Sequence, residues 1–489
     1  MNRADALGLL HRGSDLARRG RMDEAAALFE RVLAADADLA EAHYNLGIAR
    51  RAQGQAGEAE ACWRRALALE PGFAEARINL GALLLERGDF RGAEAEFRLV
   101  LKRAPGSVPA LVNLGNALRD GGDPLGAAAA YRRAIALEPG FAPAHGNLGL
   151  ALREAGDFAG AEAAYRRALA LKPDYALAHR DLGILLLLTG RFDEGWREFA
   201  WRWKTRGLER RTHGLAAWSG GDVRGKTVLL AAEQGLGDTI LFCRLVQAVA
   251  ERGARVVLEV QPQLCRLLRG LEGAASIVPR TDAAPEADCA AALMDLPGIL
   301  GLAAGNAPAR VPYLAPEAER VARWRAWLAA RPGLRIGVAW QGNPKSDAEL
   351  GRSPPLLAFR PLAEIPGARL IALQKGPGSE QLASLPQDMA VERPGDDFDS
   401  GPDAFLDSAA LMQSLDLVVS ADTAPAHLAG ALARPVWIAL KRVPDWRWGL
   451  DRDRTPWYPT ARLFRQRASG DWAGVFAALA DAARALRRS

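Results

Sequence analysis

The sequence predicts an α-helical repeat superhelix followed by an α/β domain of two Rossmann-type halves. A period of 34 residues runs through the first two fifths of the chain. Beyond it, short apolar runs alternate with longer helical stretches, the pattern of parallel strands joined by crossover helices. With 489 residues and 49% hydrophobic content, the chain also exceeds what one core holds, since single domains seldom pass about 250 to 300 residues.

The repeat is read from several ladders with one step. Gly47, Gly81, Gly115, Gly149 and Gly183 each follow a leucine and stand 34 residues apart. Gly20, Gly54, Gly88, Gly122, Gly156 and Gly190 keep the same step, as do the aromatics Phe29, Trp63, Phe97, Tyr131, Tyr165 and Phe199, and Pro71, Pro105, Pro139 and Pro173. Each unit reads as a helix, a turn at the middle glycine, a second helix carrying the aromatic, and a proline that stops it. Such units bury their apolar faces only by stacking, and their first helices then line a concave groove. The pattern resembles the tetratricopeptide repeat, with about six copies over residues 1–209.

Two positions before these glycines stand Asn45, Asn79, Asn113 and Asn147, with Asp181 in the next copy. Buried amides tie neighbouring repeats together in many proteins. The other reading is a column that accepts from and donates to an extended peptide without reading its side chains. The column resembles the asparagine ladder in the repeats of protein O-GlcNAc transferase, which implies a protein or peptide partner in the groove. The sixth copy has Gly195 in the alanine slot and adds Trp196, Trp201 and Trp203. It reads as a cap that docks the array on the next domain, because exposed tryptophans at an array end need covering.

Composition narrows the function. Lys+Arg 63 against Asp+Glu 58 is a small excess, scattered through the chain, so no nucleic-acid partner is expected. No stretch approaches the roughly 18 apolar residues of a membrane span, and the opening MNRADALGLLHRG lacks the core of a signal peptide. A cytoplasmic location is expected. Cys62, Cys243, Cys265 and Cys289 show no metal-ligand spacing and read as reduced thiols.

After a linker over 210–225, the first half covers 226–315, a connecting helix 316–333, the second half 334–466 and a C-terminal helix 467–489. Strands are predicted at Thr227–Ala232 and Arg255–Val260, then at Arg335–Trp340, Arg369–Gln374, Leu415–Ser420 and Pro435–Leu440. Ligands of parallel sheets sit beyond the carboxyl ends of strands, so the loops after Ala232, Trp340, Gln374 and Ser420 are candidate walls of a cleft. In the first, Gly235-Leu-Gly237-Asp238 lacks the third glycine of a dinucleotide fingerprint. Gly235 and Gly237 would let a substrate approach, and a helix N-terminus favours the ionised form of Asp238, a carboxylate able to act as a base. In the last, Asp422 and Thr423 open a helix, with His427 one turn on. They read either as ordinary caps or, with the bare amides, as a seat for a sugar diphosphate.

The GLGD turn together with the D-T-x-x-x-H-L-A-x-A-L segment resembles glycosyltransferase family nine, the lipopolysaccharide heptosyltransferases and their relatives, from Lys226 to the C-terminus. Pro444-Asp-Trp-Arg-Trp-Gly-Leu, Pro456-Trp-Tyr-Pro and Leu463-Phe-Arg-Gln466 resemble its repeat-fused branch. The resemblance implies a GT-B fold and an inverting, metal-independent transfer from a nucleotide-sugar co-substrate, with no cofactor. It implies Asp238 as base, Asp422, Thr423 and His427 at the donor, and a C-terminal helix that crosses back onto the first half, for which Trp472 to Leu486 is the candidate. Arg352, Ser353 and Lys375 lie where the family binds phosphate, although loop charges are often merely solvated. The stretch Gly342-Asn-Pro-Lys-Ser-Asp lacks the histidine of this branch, and Asp397 with Asp399 reads as a flexible acidic loop rather than a metal motif. The function expected is transfer of a sugar to an acceptor recruited by the repeats, with a lipid or polysaccharide acceptor as a variant. The alternative is a non-catalytic repeat scaffold with a degenerate transferase-like domain.

Overall fold

The computed structural model describes residues 3–205, 207–281, 283, 285–303, 310–344 and 351–486, and in it twelve helices precede the first strand. They form pairs: α1 (Arg3–Arg18) with α2 (Met22–Ala35), α3 (Ala40–Ala52) with α4 (Ala56–Leu69), and α5 (Ala74–Glu86) with α6 (Phe90–Arg103). The next are α7 (Val108–Asp120) with α8 (Pro124–Leu137), α9 (Ala142–Ala155) with α10 (Phe158–Leu171), and α11 (Ala176–Leu188) with α12 (Phe192–Phe199). The chain divides into two compact units, Met1–Ala178 and His179–Ser489.

Within the first unit, each inner glycine lies under the ring of the second helix. A Cβ would stand 2.4 Å from Trp63 at Gly47, 2.7 Å from Phe97 at Gly81, 2.5 Å from Tyr131 at Gly115 and 2.6 Å from Tyr165 at Gly149. The two ladders of the sequence are therefore one contact: glycine is needed so that the aromatic can fill the space between paired helices. The turn glycines Gly20, Gly54, Gly88, Gly122 and Gly156 have φ between 77° and 89°, where side chains are strained. Asp89, Asp123 and Asp157 cap α6, α8 and α10, each accepting from a glycine N–H three residues on at 2.9 Å.

The second unit holds two parallel sheets. The first has the order β1-β5-β2-β3-β4, built from β1 (Ala216–Ala217), β2 (Thr227–Ala231), β3 (Arg255–Val260), β4 (Ala274–Pro279) and β5 (Cys289–Ala292). Leu229 faces Val257 on one side and Ala290 on the other. Edge strand β1 comes from the 210–225 stretch. Between β2 and β3 lie α13 (Leu236–Phe242) and α14 (Val246–Ala250), separated by a 3₁₀ turn at Cys243–Leu245. At that turn Arg244 is buried over the rings of Tyr313 and Tyr458.

After α15 (Leu296–Ile299) and α16 (Ala318–Ala329), the second sheet has the order β11-β10-β9-β6-β7-β8. Its strands are β6 (Leu334–Ala339), β7 (Ala368–Ala372), β8 (Val391–Glu392), β9 (Leu417–Ala421), β10 (Val436–Leu440) and β11 (Ala461–Arg465). Helices α17 (Arg360–Ala363), α18 (Leu406–Met412) and α19 (Ala424–Ala431) connect them. The strands are short buried apolar runs, as a sheet covered on both faces requires.

Helix α20 (Trp472–Leu486) corrects one expectation. It packs on the second half, not the first. Its stripe Val475, Phe476, Leu479, Ala480 and Ala483 is buried in the same core as Phe359, Leu362 and Trp437, with the Phe359 and Phe476 rings 4.3 Å apart. That spacing is one continuous helical face, and the nearest apolar surface able to cover it belongs to the sheet the helix leaves. No helix among the described residues is long and apolar enough to cross a membrane.

Candidate functional site

The turn after β2 and the turn after β9 bring two helix N-termini together. Helix α13 packs against α19. Gly237 makes the approach possible: a Cβ there would stand 3.1 Å from His427 Cδ2 and 3.3 Å from Ala424 Cα. The space that sequence reasoning leaves for a substrate over Gly237 is thus taken by α19, because the bare backbone lets the second half close on it. Gly235 is the N-cap residue of α13, and its N–H donates to Asp238 Oδ2 at 3.1 Å.

The other oxygen of Asp238 is claimed from the opposite half. Arg447 Nη2 donates to Asp238 Oδ1, while its Nη1 donates to Asp445 Oδ1 at 2.7 Å. Arg447 sits on the 3₁₀ turn Trp446–Trp448 after β10, with its guanidinium over the Trp446 ring. Burial acts to raise the Asp445 carboxyl, but Arg447 prevails and holds it below the usual range. Burial likewise opposes the charge on Arg447, which Asp445 and Asp238 nevertheless hold firmly in place.

Asp422 and Thr423 are buried where β9 becomes α19. Thr423 is the N-cap residue, yet its side chain caps nothing: the hydroxyl lies 3.2 Å from Ser420 Oγ and 3.4 Å from the Ala421 carbonyl. Burial raises the Asp422 carboxyl, against the pull of Arg352. His427 is buried, with Nδ1 3.1 Å from Tyr458 Oη and its ring stacked 5.3 Å from Trp448. Burial, reinforced by Arg447, pushes its pKa down to about 3, so the imidazole is neutral near pH 7.

Of the basic residues predicted at the phosphates, Arg352 acts electrostatically on Asp422, Asp445 and His427. Ser353 Oγ accepts from the Gly342 N–H at 3.0 Å, fixing the loop beneath. Lys375 shares no hydrogen bond or ion pair with the cluster among the described residues; its Nζ donates to the Phe398 carbonyl at 2.7 Å. Lys345, Ser346 and Asp347 lie outside the described residues. Asp397 pairs with Arg323, and Asp399 accepts from the Asp407 N–H at 2.7 Å and from Ser408 Oγ at 2.5 Å. Asp399 is therefore tied to the start of α18 rather than free in an acidic loop.

In the repeats, two of the four predicted amides reach the adjacent repeat. Asn79 Nδ2 donates to Tyr44 Oη at 3.5 Å, and Asn147 Nδ2 to Asn116 Oδ1 at 3.3 Å. Asn45 and Asn113 are half-buried and make no side-chain hydrogen bond among the described residues.

The tryptophan-rich segment docks within the second unit. Trp196 Nε1 donates to the Leu302 carbonyl at 3.1 Å, Trp203 Nε1 to Asp295 Oδ1 at 3.3 Å, and Trp201 stacks 3.8 Å from His179. Four polar residues then stitch this segment to the carboxyl ends of the first sheet. Arg202 bonds Glu233 after β2 at 2.6 Å and Asp295 after β5 at 2.7 Å; Arg210 bonds Asp295 at 2.9 Å. Arg211 reaches the Thr281 carbonyl after β4, and His213 Nε2 lies 3.0 Å from Glu259 Oε1 at the end of β3.

Sequence reasoning missed Arg447, Asp445, Trp448 and Tyr458. The signal was present: an Asp-Trp-Arg-Trp run directly after a buried strand is a fifth loop at the carboxyl edge, alongside the four chosen as walls.

Comparison with known proteins finds matches in the repeats and in part of the second half. The tetratricopeptide repeat family matches residues 10–61, 44–108, 112–176 and 147–199. Glycosyltransferase family 9 (heptosyltransferase) matches residues 401–441, which include Asp422, Thr423 and His427. Protein FlbA of Caulobacter vibrioides is 29% identical over 323 residues, 61% of this chain and 53% of that protein. The chain thus spans about half the length of this curated relative. Among solved structures, MamA 41-end from Desulfovibrio magneticus RS-1 is 23% identical, covering 35% of this chain and 96% of its own with a TM-score of 0.33. YrrB, described as a TPR protein with an unusual peptide-binding site, is 21% identical over 36% of this chain and 91% of its own, TM-score 0.33.

Proposed function

For this fusion of tetratricopeptide repeats with a glycosyltransferase-family-9-like domain, we propose an inverting, metal-independent glycosyltransferase acting in the cytoplasm. It transfers a sugar from a nucleotide sugar to a protein acceptor recruited by the repeats. The observation that carries the reading is the close packing of α13, which carries Asp238, on α19, which follows Asp422 and Thr423 and carries His427. A base candidate from one half and a donor-binding candidate from the other then stand on adjoining helix ends.

In this reading the first-turn amides of α19, left without a Thr423 side-chain cap, and Arg352 receive the leaving diphosphate. Asp238 takes the proton of the acceptor hydroxyl as its oxygen attacks the anomeric carbon and the bond to the diphosphate breaks. Neutral His427 orients a sugar hydroxyl. Asn45 and Asn113 offer amides that an extended peptide satisfies.

The test is transfer of radiolabelled sugar from UDP-, GDP-, ADP- and CMP-sugars to protein in a lysate, using the full chain. Asp238→Asn is expected to slow transfer by about a hundredfold or more; an unchanged rate removes Asp238 from the mechanism. A second reading, a non-catalytic scaffold, is favoured by one observation: Asp238 and Lys375 are both engaged internally, by Arg447 and by the Phe398 carbonyl. Nucleotide-sugar binding with no transfer to any acceptor would select it.

A further inference from the structure

Arg447 holds more anions than one cation requires. Its side chain is 8% exposed and carries the bonds to Asp445 and to Asp238. Asp422 lies near enough to add to the stabilisation of the same guanidinium. Asp445 alone balances its charge. Asp238 can therefore leave the pair without stranding a buried cation.

The geometry shows which anion would displace it. Nε and Nη2 share one edge of the guanidinium plane, the edge that binds phosphate or carboxylate with two parallel bonds. Asp238 engages only Nη2 there, and the buried Nε has no hydrogen-bond partner. A phosphate on that edge makes two charge-assisted bonds where Asp238 makes one. The position is also suitable, since the guanidinium holds Asp238 in the first turn of α13 and lies within the field of Asp422, which precedes α19.

We propose that Arg447 is a diphosphate ligand that exchanges partners: the donor's diphosphate takes the Nε and Nη2 edge from Asp238 and so frees that carboxylate for the acceptor hydroxyl. The base is thereby released only when donor is present. No bond to carbon is made or broken in this step; one ion pair replaces another. The inference rests on the glycosyltransferase reading of the same site.

The test uses inorganic pyrophosphate as the probe and titration calorimetry on the full chain. Wild type binds it. Arg447→Gln weakens binding about tenfold or more, as loss of charge-assisted bonds predicts. Asp238→Asn removes the competitor and tightens binding about threefold or more, because the competent edge is no longer occupied. In the Arg447→Gln background Asp238→Asn then changes nothing. A purely structural ion pair predicts no tightening. Unchanged or weaker binding in Asp238→Asn, wild-type binding in Arg447→Gln, or no binding by wild type each overturns the proposal. Should Arg447→Gln fail to fold, the Asp238→Asn result decides alone. Pyrophosphate binding through Arg447 without any sugar transfer would sink the enzymatic reading and leave the anion site standing. Transfer with pyrophosphate binding indifferent to Arg447 would do the reverse.

Discussion

Gly237 on α13 and His427 on α19 approach so closely that a Cβ at position 237 would stand 3.1 Å from the imidazole Cδ2. The same Cβ would meet the backbone of Ala424 at 3.3 Å, which cannot rotate away as a side chain can. Gly237→Ala is therefore expected to cost about 1–3 kcal/mol by overpacking. Thermal melts of the full chain should show the transition of the 179–489 unit lowered; an unchanged melt would mean that the two halves can part without penalty.

His427 makes stability depend on pH. Its pKa falls from 6.5 to about 3 on folding, so below pH 6.5 the unfolded chain binds a proton that the folded chain refuses. The contribution is complete above pH 6.5 and is lost as pH falls towards 3. Linkage predicts a loss of about 2 kcal/mol between pH 7 and pH 5. Urea unfolding at both values, with His427→Gln as reference, should show a smaller pH effect in the variant. Equal effects would assign the dependence to other groups.

Arg202 is 1% exposed and holds both Glu233 and Asp295. Burial raises the Glu233 carboxyl even with Arg202 beside it. Removing the cation strands the buried Glu233 while Asp295 keeps Arg210, and Arg202→Ala should destabilise the second unit by about 3–5 kcal/mol. Calorimetry that resolves the two units would detect it; a change confined to the repeats would contradict the docking of this segment on the first sheet.

In the repeats, Gly115→Ala would drive a methyl to 2.5 Å from the Tyr131 ring. A loss of about 1–3 kcal/mol in helical unfolding followed by circular dichroism is expected. Gly57→Ala, where a Cβ meets nothing within 4 Å, serves as the control and should not destabilise.

The repeats were legible because one contact, glycine under aromatic, recurs every 34 residues and leaves two ladders in the sequence, with turn glycines and prolines adding two more. Strand positions were legible because buried parallel strands are short apolar runs, and Arg255–Val260 agrees to the residue. The packing of α20 was not, since an apolar stripe states that a face is buried but not against which sheet. Asp238, Asp422, Thr423 and His427 could be chosen from local motifs. Arg447 could not be joined to Asp238, because 209 residues separate them and only the meeting of α13 with α19 brings them together. Asp399 was misjudged for a related reason: a carboxylate serving helix amides and one free in a loop look alike in sequence.

The central claim is that the site where α13 meets α19 binds a nucleotide sugar. The most direct measurement is the melting temperature of the full chain against a panel of UDP-, GDP-, ADP- and CMP-sugars, since a ligand bound only by the folded state must raise it. A clear rise with one of them, abolished in Asp422→Ala and in His427→Ala, is the predicted result; no rise with any member of the panel would contradict the account and favour the scaffold.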